Sequence, residues 1–333
     1  MSSQAPRVSV VMPVHNAGVF LDAAVESILA QTRTDFEFAI YDDCSQDGSW
    51  ERALEWAARD PRIVVRRGEK RLGPVGSSNA AAAMARASLV ARMDADDLSR
   101  PDRLALQVAA FEAHRRAVLV GSTFEIIDGS GAVVREAKPG RIGGSTPPFA
   151  HPNIMYRREA FDAVGGYREG TEYFEDLDLY LRLAPLGEML VINSPLLQLR
   201  FAGQNARLLE EPSDVLRQVS RQYPAMADGK LPPMSFYSVA VLAILKPARP
   251  RLLGLMIRNV SFSRPLATFS VLAMIALAEV SPRLARALSG GLASLRERNR
   301  SRRFMPGGVY AWRFPAATQA AASEAPGPIT SES

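Results

Sequence analysis

The N-terminal part of the chain alternates between short β-rich apolar runs and segments with helical spacing. The runs are residues 8–12, 36–41, 62–65 and 88–93. After the first of them Phe20, Leu21, Ala24, Val25, Ile28 and Leu29 recur on one helical face. A helix through Ala57 follows the second run. An Ala-rich helix around residues 78–86 follows the Gly-rich loop "RRGEKRLGPVG". Strands alternating with helices predict a parallel sheet with helices on both faces. Ligands of such sheets bind beyond the carboxyl ends of the strands.

Three of the runs end on distinctive loops. The first ends on "PVHNAG", the second on Asp42 and Asp43 followed by "CSQDGS", and the fourth on "DADD". Asp94, Asp96 and Asp97 therefore crowd together at the end of a strand expected to be buried. Like charges this close repel, and desolvation raises their pKa values. One reading is a solvated turn leading into the next helix, for which Ser99 and Pro101 are well suited. The other is a hard-cation site, where Mg²⁺ or Mn²⁺ is held by one or two carboxylates plus substrate phosphates. All three loops fall on one edge of the predicted sheet, and this convergence favours the cation.

Bulk properties narrow the function. The chain has 333 residues, with 40 basic against 35 acidic, a balance unlike that of a dedicated nucleic-acid binder. A single cysteine, Cys44, excludes a disulfide framework within the chain and a Cys-based zinc site. Cys44 is expected to act as a small apolar residue. No apolar run reaches the length of a spanning helix, and the first residues do not read as a signal peptide. These features suit a cytoplasmic setting, extending to the inner face of the plasma membrane.

The second part is less regular. Residues 123–128 and 132–136 read as a hairpin around Gly129-Ser130-Gly131. "HPNIMYRREAFDAVGGY" predicts a strand, a helix and a Gly-Gly stop. "FEDLDLYLRLAPLGE" predicts an amphipathic helix opening on Glu175 and Asp176, where acidic residues also suit the helix dipole. Residues 190–193 and 196–201 read as two more strands. Residues 206–305 are basic and helix-like. Two readings of them stand side by side: packing on the first domain, or lying in a membrane interface. Residues 306–333, rich in Ala, Pro, Ser and Gly, read as a disordered tail.

Taken in order, "VSVVMPVHNAGVFLDAAVESILAQTRTDFEFAIYDDCSQDGS", "ARMDADDLSRPDRLALQ", "HPNIMYRREAFDAVGGYRE" and "EDLDLYLRL" resemble family 2 glycosyltransferases. The resemblance covers about residues 6–205. It implies an α/β GT-A fold, a Rossmann-like and mostly parallel sheet, for a catalytic domain of residues 1–205 with a C-terminal helical extension. It also implies transfer of one sugar, with inversion, from a nucleoside-diphosphate donor (UDP- or dTDP-linked) to a saccharide or lipid-linked acceptor, as in cell-surface polysaccharide or glycolipid synthesis. Under that resemblance Pro13 and His15 line the base pocket, His15 standing where the family usually has Tyr. Asp43 bonds the base edge, with Asp42 beside it. Asp94 bonds the ribose. Asp96, paired with Asp94 in the DxD motif, holds Mg²⁺ or Mn²⁺, and Asp97 supports them. Asp176 is the general base, and Glu175 orients the acceptor or caps the helix.

Departures from the family are informative. "QNARL" at residues 204–208 lacks the Trp of the processive "QxxRW" motif, which points to single-sugar addition. Ala202 stands where many relatives carry a His two residues after the position of Arg200. His151 and Arg200 are candidates for acceptor or phosphate contact, and for His151 a structural hydrogen bond beside Pro152 is the alternative. Arg66, Arg67, Lys70 and Arg71 read as a solvated charge run, with diphosphate contact as the alternative. Three other functional classes fit the residues less well. A nucleotidyltransferase would open on a "GxGTR"-like loop, which "PVHNAG" does not match. A non-catalytic sugar-nucleotide-binding module would not need both Asp96 and Asp176. A dinucleotide-dependent oxidoreductase would carry G-x-G-x-x-G after the first strand, and it is absent.

Overall fold

The computed structural model describes residues 5–135, 150–169, 171, 175–200 and 308–312, all within one compact unit. In chain order the elements are β1 (Val8–Val14), α1 (Leu21–Leu29), β2 (Phe36–Asp42), α2 (Ser49–Arg59), β3 (Ile63–Arg67), α3 (Gly73–Ala83), β4 (Leu89–Arg92), β5 (Leu98–Ser99) and α4 (Arg103–Ala113). There follow β6 (Ala117–Ile127), β7 (Val133–Arg135), β8 (Met155–Arg157), α5 (Arg158–Ala163), α6 (Glu175–Leu183), β9 (Glu188–Arg200) and β10 (Val309–Trp312). They build one sheet in the order β10-β9-β6-β8-β4-β1-β2-β3.

The predicted parallel unit is the β4-β1-β2-β3 half, where every pairing is parallel. Its strands are apolar because the sheet is buried: Val8, Val10, Met12, Phe38, Ile40 and Ala91 are all inaccessible to solvent. The apolar face of α1, formed by Leu21, Ala24, Val25 and Ile28, closes over it. The other half is mixed. β8 lies antiparallel between β4 and β6, and β6 runs parallel to β9.

Three elements differ from the sequence expectation. α3 starts at Gly73, inside the stretch expected to be a loop, because Pro74 supplies the fixed φ that suits a first helical turn. The two strands expected after Glu188 are one, β9. Its register against β6 shifts around Pro195, which cannot donate to a ladder. Within the expected disordered tail, Val309–Trp312 is a strand that pairs antiparallel with Met189–Ile192. Its β-branched and aromatic residues suit the open edge of β9, and the composition of the surrounding tail masked them. The proposed helical extension, the rest of the tail, Ala202 and "QNARL" lie outside the described residues. Among the described residues no helix is long and apolar enough to cross a membrane.

Candidate active site

The loops after β1 and β2 are fastened to each other. Asp43 donates its N–H to Val14 O at 2.8 Å. Asn16 N–H bonds Ser45 Oγ (3.0 Å), Gln46 N–H bonds Asn16 Oδ1 (2.9 Å) and Gly18 N–H bonds Asp47 Oδ2 (2.7 Å). Asn16 holds φ 53°, a left-handed conformation that Asn tolerates better than most residues. His15 Nδ1 faces the Asp43 carbonyl at 2.8 Å and must donate to it. Its Nε2 then accepts from the Asn16 amide at 3.2 Å. With both ring nitrogens engaged, His15 has its ring face left to offer a ligand.

The two aspartates that end β2 differ in what they hold. Asp43 accepts the N–H groups of Leu72 (2.6 Å) and Gly73 (2.9 Å), fixing the start of α3. Asp42 takes Ser45 N–H (3.1 Å) and Arg67 Nε (3.2 Å) through Oδ2, while its buried Oδ1 has no partner among the described residues. Arg67, expected in a solvated run, thus pairs with Asp42. It also bonds the Ser45 carbonyl at 2.7 Å.

β4 delivers the acidic cluster beside β1. Arg92, the last residue of β4, is buried and bonds Asp94 Oδ1 (2.8 Å) and Ser78 Oγ (2.9 Å). Burial opposes its charge, but Asp94 together with Tyr167, Glu175 and Tyr156 outweighs burial and keeps the guanidinium protonated. Asp97 is turned inward, and its Oδ1 accepts Arg200 N–H at 2.7 Å. Burial, then the charges of Asp94 and Asp96, push its carboxyl well above the usual carboxylate range. Arg103 lies fully buried beneath, bonding the Arg92 carbonyl at 2.6 Å, and burial pulls its pKa down to about 10. Arg200, a candidate for acceptor or phosphate, is buried instead. Its Nε bonds the Asp96 carbonyl (2.8 Å) and its Nη1 the Asp128 carbonyl (2.9 Å), so it straps the acidic loop to the β6–β7 turn.

α6 opens on three carboxylates, Glu175, Asp176 and Asp178. Asp178 is held by Arg168 and Arg182. Burial pushes its carboxyl up, but the two arginines outweigh burial and hold it below the usual range. Glu175 has no such partner. Burial and the neighbouring Asp176 charge push it up to about 7, and its buried Oε2 has no partner among the described residues. His151 Nδ1 stands 3.8 Å from Glu175 Oε1, and His151 Nε2 is 2.8 Å from Tyr167 Oη. Burial and then the Arg92 charge hold His151 well below its ordinary pKa, hence neutral.

Arg92, Tyr167 and Asn16 were not singled out from the sequence. The one available signal was an arginine ending an otherwise apolar strand directly before an acidic cluster. The carboxylates of Asp94 and Asp96 are hard oxygen donors of the kind Mg²⁺ and Mn²⁺ take. Among the described residues no group of three or more His, Cys, Asp or Glu is placed to hold a metal. Two carboxylates of this kind would supply part of the shell of such a cation, with other oxygens completing it.

Comparison with known proteins agrees with this architecture. The glycosyl transferase family 2 pattern matches residues 9–165. EpsE of Bacillus subtilis (strain 168) is 37% identical over 189 residues, 53% of this chain and 66% of EpsE. The O-antigen biosynthesis glycosyltransferase WbnJ of Escherichia coli is 31% identical over 186 residues, 53% of this chain and 71% of WbnJ. The chain thus spans part of each relative's length. Among solved structures, a mannosyltransferase from Pyrobaculum calidifontis in complex with GDP-Man and Mn²⁺ superposes with a TM-score of 0.52 at 19% identity. That alignment covers 96% of this chain and 86% of the mannosyltransferase, a likeness of GT-A fold.

Proposed function

Because the chain belongs to glycosyl transferase family 2, we propose that it moves one sugar, with inversion, from a nucleoside-diphosphate donor to a hydroxyl of a saccharide or lipid-linked acceptor, in the building of a cell-surface polysaccharide or glycolipid. One observation carries this reading. The parallel strands β1, β2 and β4 end at one edge of the sheet, where the loops carrying His15, Asp43 and the DxD aspartates follow them. The neighbour solved with GDP-Man and Mn²⁺ supports a nucleotide-sugar donor and a divalent cation.

In this reading His15 offers its ring face to the base, and Pro13 shapes the pocket floor. Asp43 bonds the base edge with the carboxylate that also accepts the N–H groups of Leu72 and Gly73, and Asp42 lies beside it. Asp94 bonds the ribose, and Asp96 with Asp94 holds Mg²⁺ or Mn²⁺. When bound, such a cation acts as a Lewis acid toward the leaving diphosphate. Asp176 takes the proton of the acceptor hydroxyl as the new bond forms. A single displacement needs one base on the face opposite the leaving group. Glu175, beside it, orients the acceptor. Thermal denaturation in a panel of nucleotide sugars, with and without Mn²⁺, tests the donor half. A ligand that binds only the folded state stabilises by RT ln(1 + [L]/Kd). One donor should raise the melting temperature in Mn²⁺ and lose that effect in Asp96→Ala. A panel in which no donor shifts it, or a shift unchanged in Asp96→Ala, contradicts the assignment.

A further inference from the structure

Glu175 is a mostly buried carboxyl facing the mostly buried imidazole of His151, and the two come from different elements. His151 begins the short turn His151–Asn153 before β8, Tyr167 follows α5, and Glu175 opens α6. The Glu175 side chain is 15% exposed and the His151 side chain 12%. The His151 and Tyr167 rings meet edge to face, with centroids 5.4 Å apart. Tyr167 is itself fixed, since Asn79 bonds both its N–H and its carbonyl.

A neutral imidazole carries one N–H, so each of its nitrogens depends on the other. With the proton on Nδ1, the ring presents N–H to an ionised Glu175, and the Tyr167 hydroxyl donates to Nε2. With the proton on Nε2, the ring donates to the Tyr167 oxygen and presents a lone pair to Nδ1's neighbour. An ionised Glu175 would be repelled by that lone pair, while a protonated Glu175 would donate to it. A hydroxyl both donates and accepts, so Tyr167 satisfies Nε2 in either state. Neither state leaves a ring nitrogen buried without a partner, once the 3.8 Å gap closes by rotation of Glu175.

The geometry points to a tautomeric relay: His151 and Tyr167 position Glu175 and let it gain or lose a proton in place, and its ionised form receives the acceptor hydroxyl. This rests on the glycosyl-transfer reading for the identity of the acceptor. The two states differ by one proton. On uptake the ring passes its Nδ1 proton to Glu175 and takes the Tyr167 hydroxyl proton at Nε2, and the Tyr167 oxygen takes the incoming proton from solvent, so Glu175 gains one proton and the ring and Tyr167 gain none. The groups facing Glu175 are Asp176 and Tyr180 on α6, Arg92 and Asp94 at the end of β4, and His151 and Tyr167. Arg92 favours the ionised form, and Asp176 and Asp94 oppose it.

The chain has three histidines, so their imidazole nitrogens can be followed by ¹⁵N NMR in the whole protein, with His151→Gln assigning the signals. From about pH 5 to pH 9, the Nδ1 and Nε2 signals of His151 should exchange character at the same midpoint as the Glu175 carboxyl carbon. A ring that keeps one tautomer through that titration, or becomes doubly protonated, overturns the relay. In acceptor kinetics at saturating donor, His151→Phe should move the acid limb of kcat/KM upward by about one pH unit, roughly tenfold at a pH below the limb. His151→Gln, whose amide can donate or accept, should recover part of the shift. An unmoved limb in an active, folded His151→Phe overturns the relay as well. A wild-type protein that turns over no nucleotide sugar at any pH defeats the glycosyl-transfer reading instead, and the NMR titration still decides the relay.

Discussion

Of the three carboxylates that open α6, Asp178 is engaged by Arg168 and Arg182, and the proposed roles in transfer fall to Glu175 and Asp176. Asp176→Asn should lower kcat by about 10²–10⁴-fold, the usual range for a positioned general base, with donor binding nearly unchanged. Glu175→Gln should chiefly raise the acceptor KM. Near-normal turnover in Asp176→Asn together with a dead Glu175→Gln would exchange the two roles. Glu175 also has a stability signature. Its folded pKa is raised to about 7 from an ordinary 4.5. As pH rises between those values, the unfolded chain ionises Glu175 first, so the folded state binds more protons and loses stability. Glu175→Gln should therefore be more stable than wild type by on the order of 2–3 kcal/mol above pH 7, with the difference vanishing below about pH 4. Urea melts across that range measure it, and a pH-independent difference would contradict the buried-carboxyl description. The acidic residues were legible because strand ends and short motifs mark them. Arg92 and Tyr167 were not, because their roles depend on partners from other elements.

At the scale of elements, the acidic loop is held by side chains that the sequence reading passed over. Gln31, just past α1, donates to the Arg100 carbonyl (2.7 Å) and Ser99 Oγ (3.1 Å), and accepts Leu104 N–H at 3.0 Å. Gln31→Ala would leave buried backbone groups of the β5–α4 junction unpaired. It should destabilise by about 2–4 kcal/mol, from roughly 1–3 kcal/mol for each group stranded. A chemical-denaturation loss below 1 kcal/mol would mean that water replaces the amide there. Gly166, in the turn after α5, has φ 66°, and a Cβ there would stand 2.8 Å from Asn79 Oδ1, which accepts Tyr167 N–H. Gly166→Ala should thus cost about 1–3 kcal/mol in strain and displace Tyr167. A crystal structure of that variant with Tyr167 unmoved would contradict the tightness of the turn. The Gly-Gly stop was readable from sequence, whereas its role in setting Tyr167 depends on a residue of α3.

Over the whole molecule, the parallel half was legible because fully buried strands read as continuous apolar runs separated by helical periodicity. The mixed half was not, since antiparallel β8 and the long β6–β9 pairing join segments whose sequences carry no mark of their partners. The edge strand β10 was hidden for the same reason. The proposed donor side lies at the ends of β1, β2 and β4, the part that sequence predicts best, while His151, Tyr167 and the carboxylates of α6 come from the less regular half. The most direct test of the central claim is release of nucleoside diphosphate from a panel of nucleotide sugars, with Mn²⁺ or with excess chelator. The wild type should release diphosphate from one donor in Mn²⁺, faster when its acceptor is supplied, and stop in chelator. Undiminished release in chelator, or none from any donor, would contradict a glycosyl transfer centred on Asp94 and Asp96.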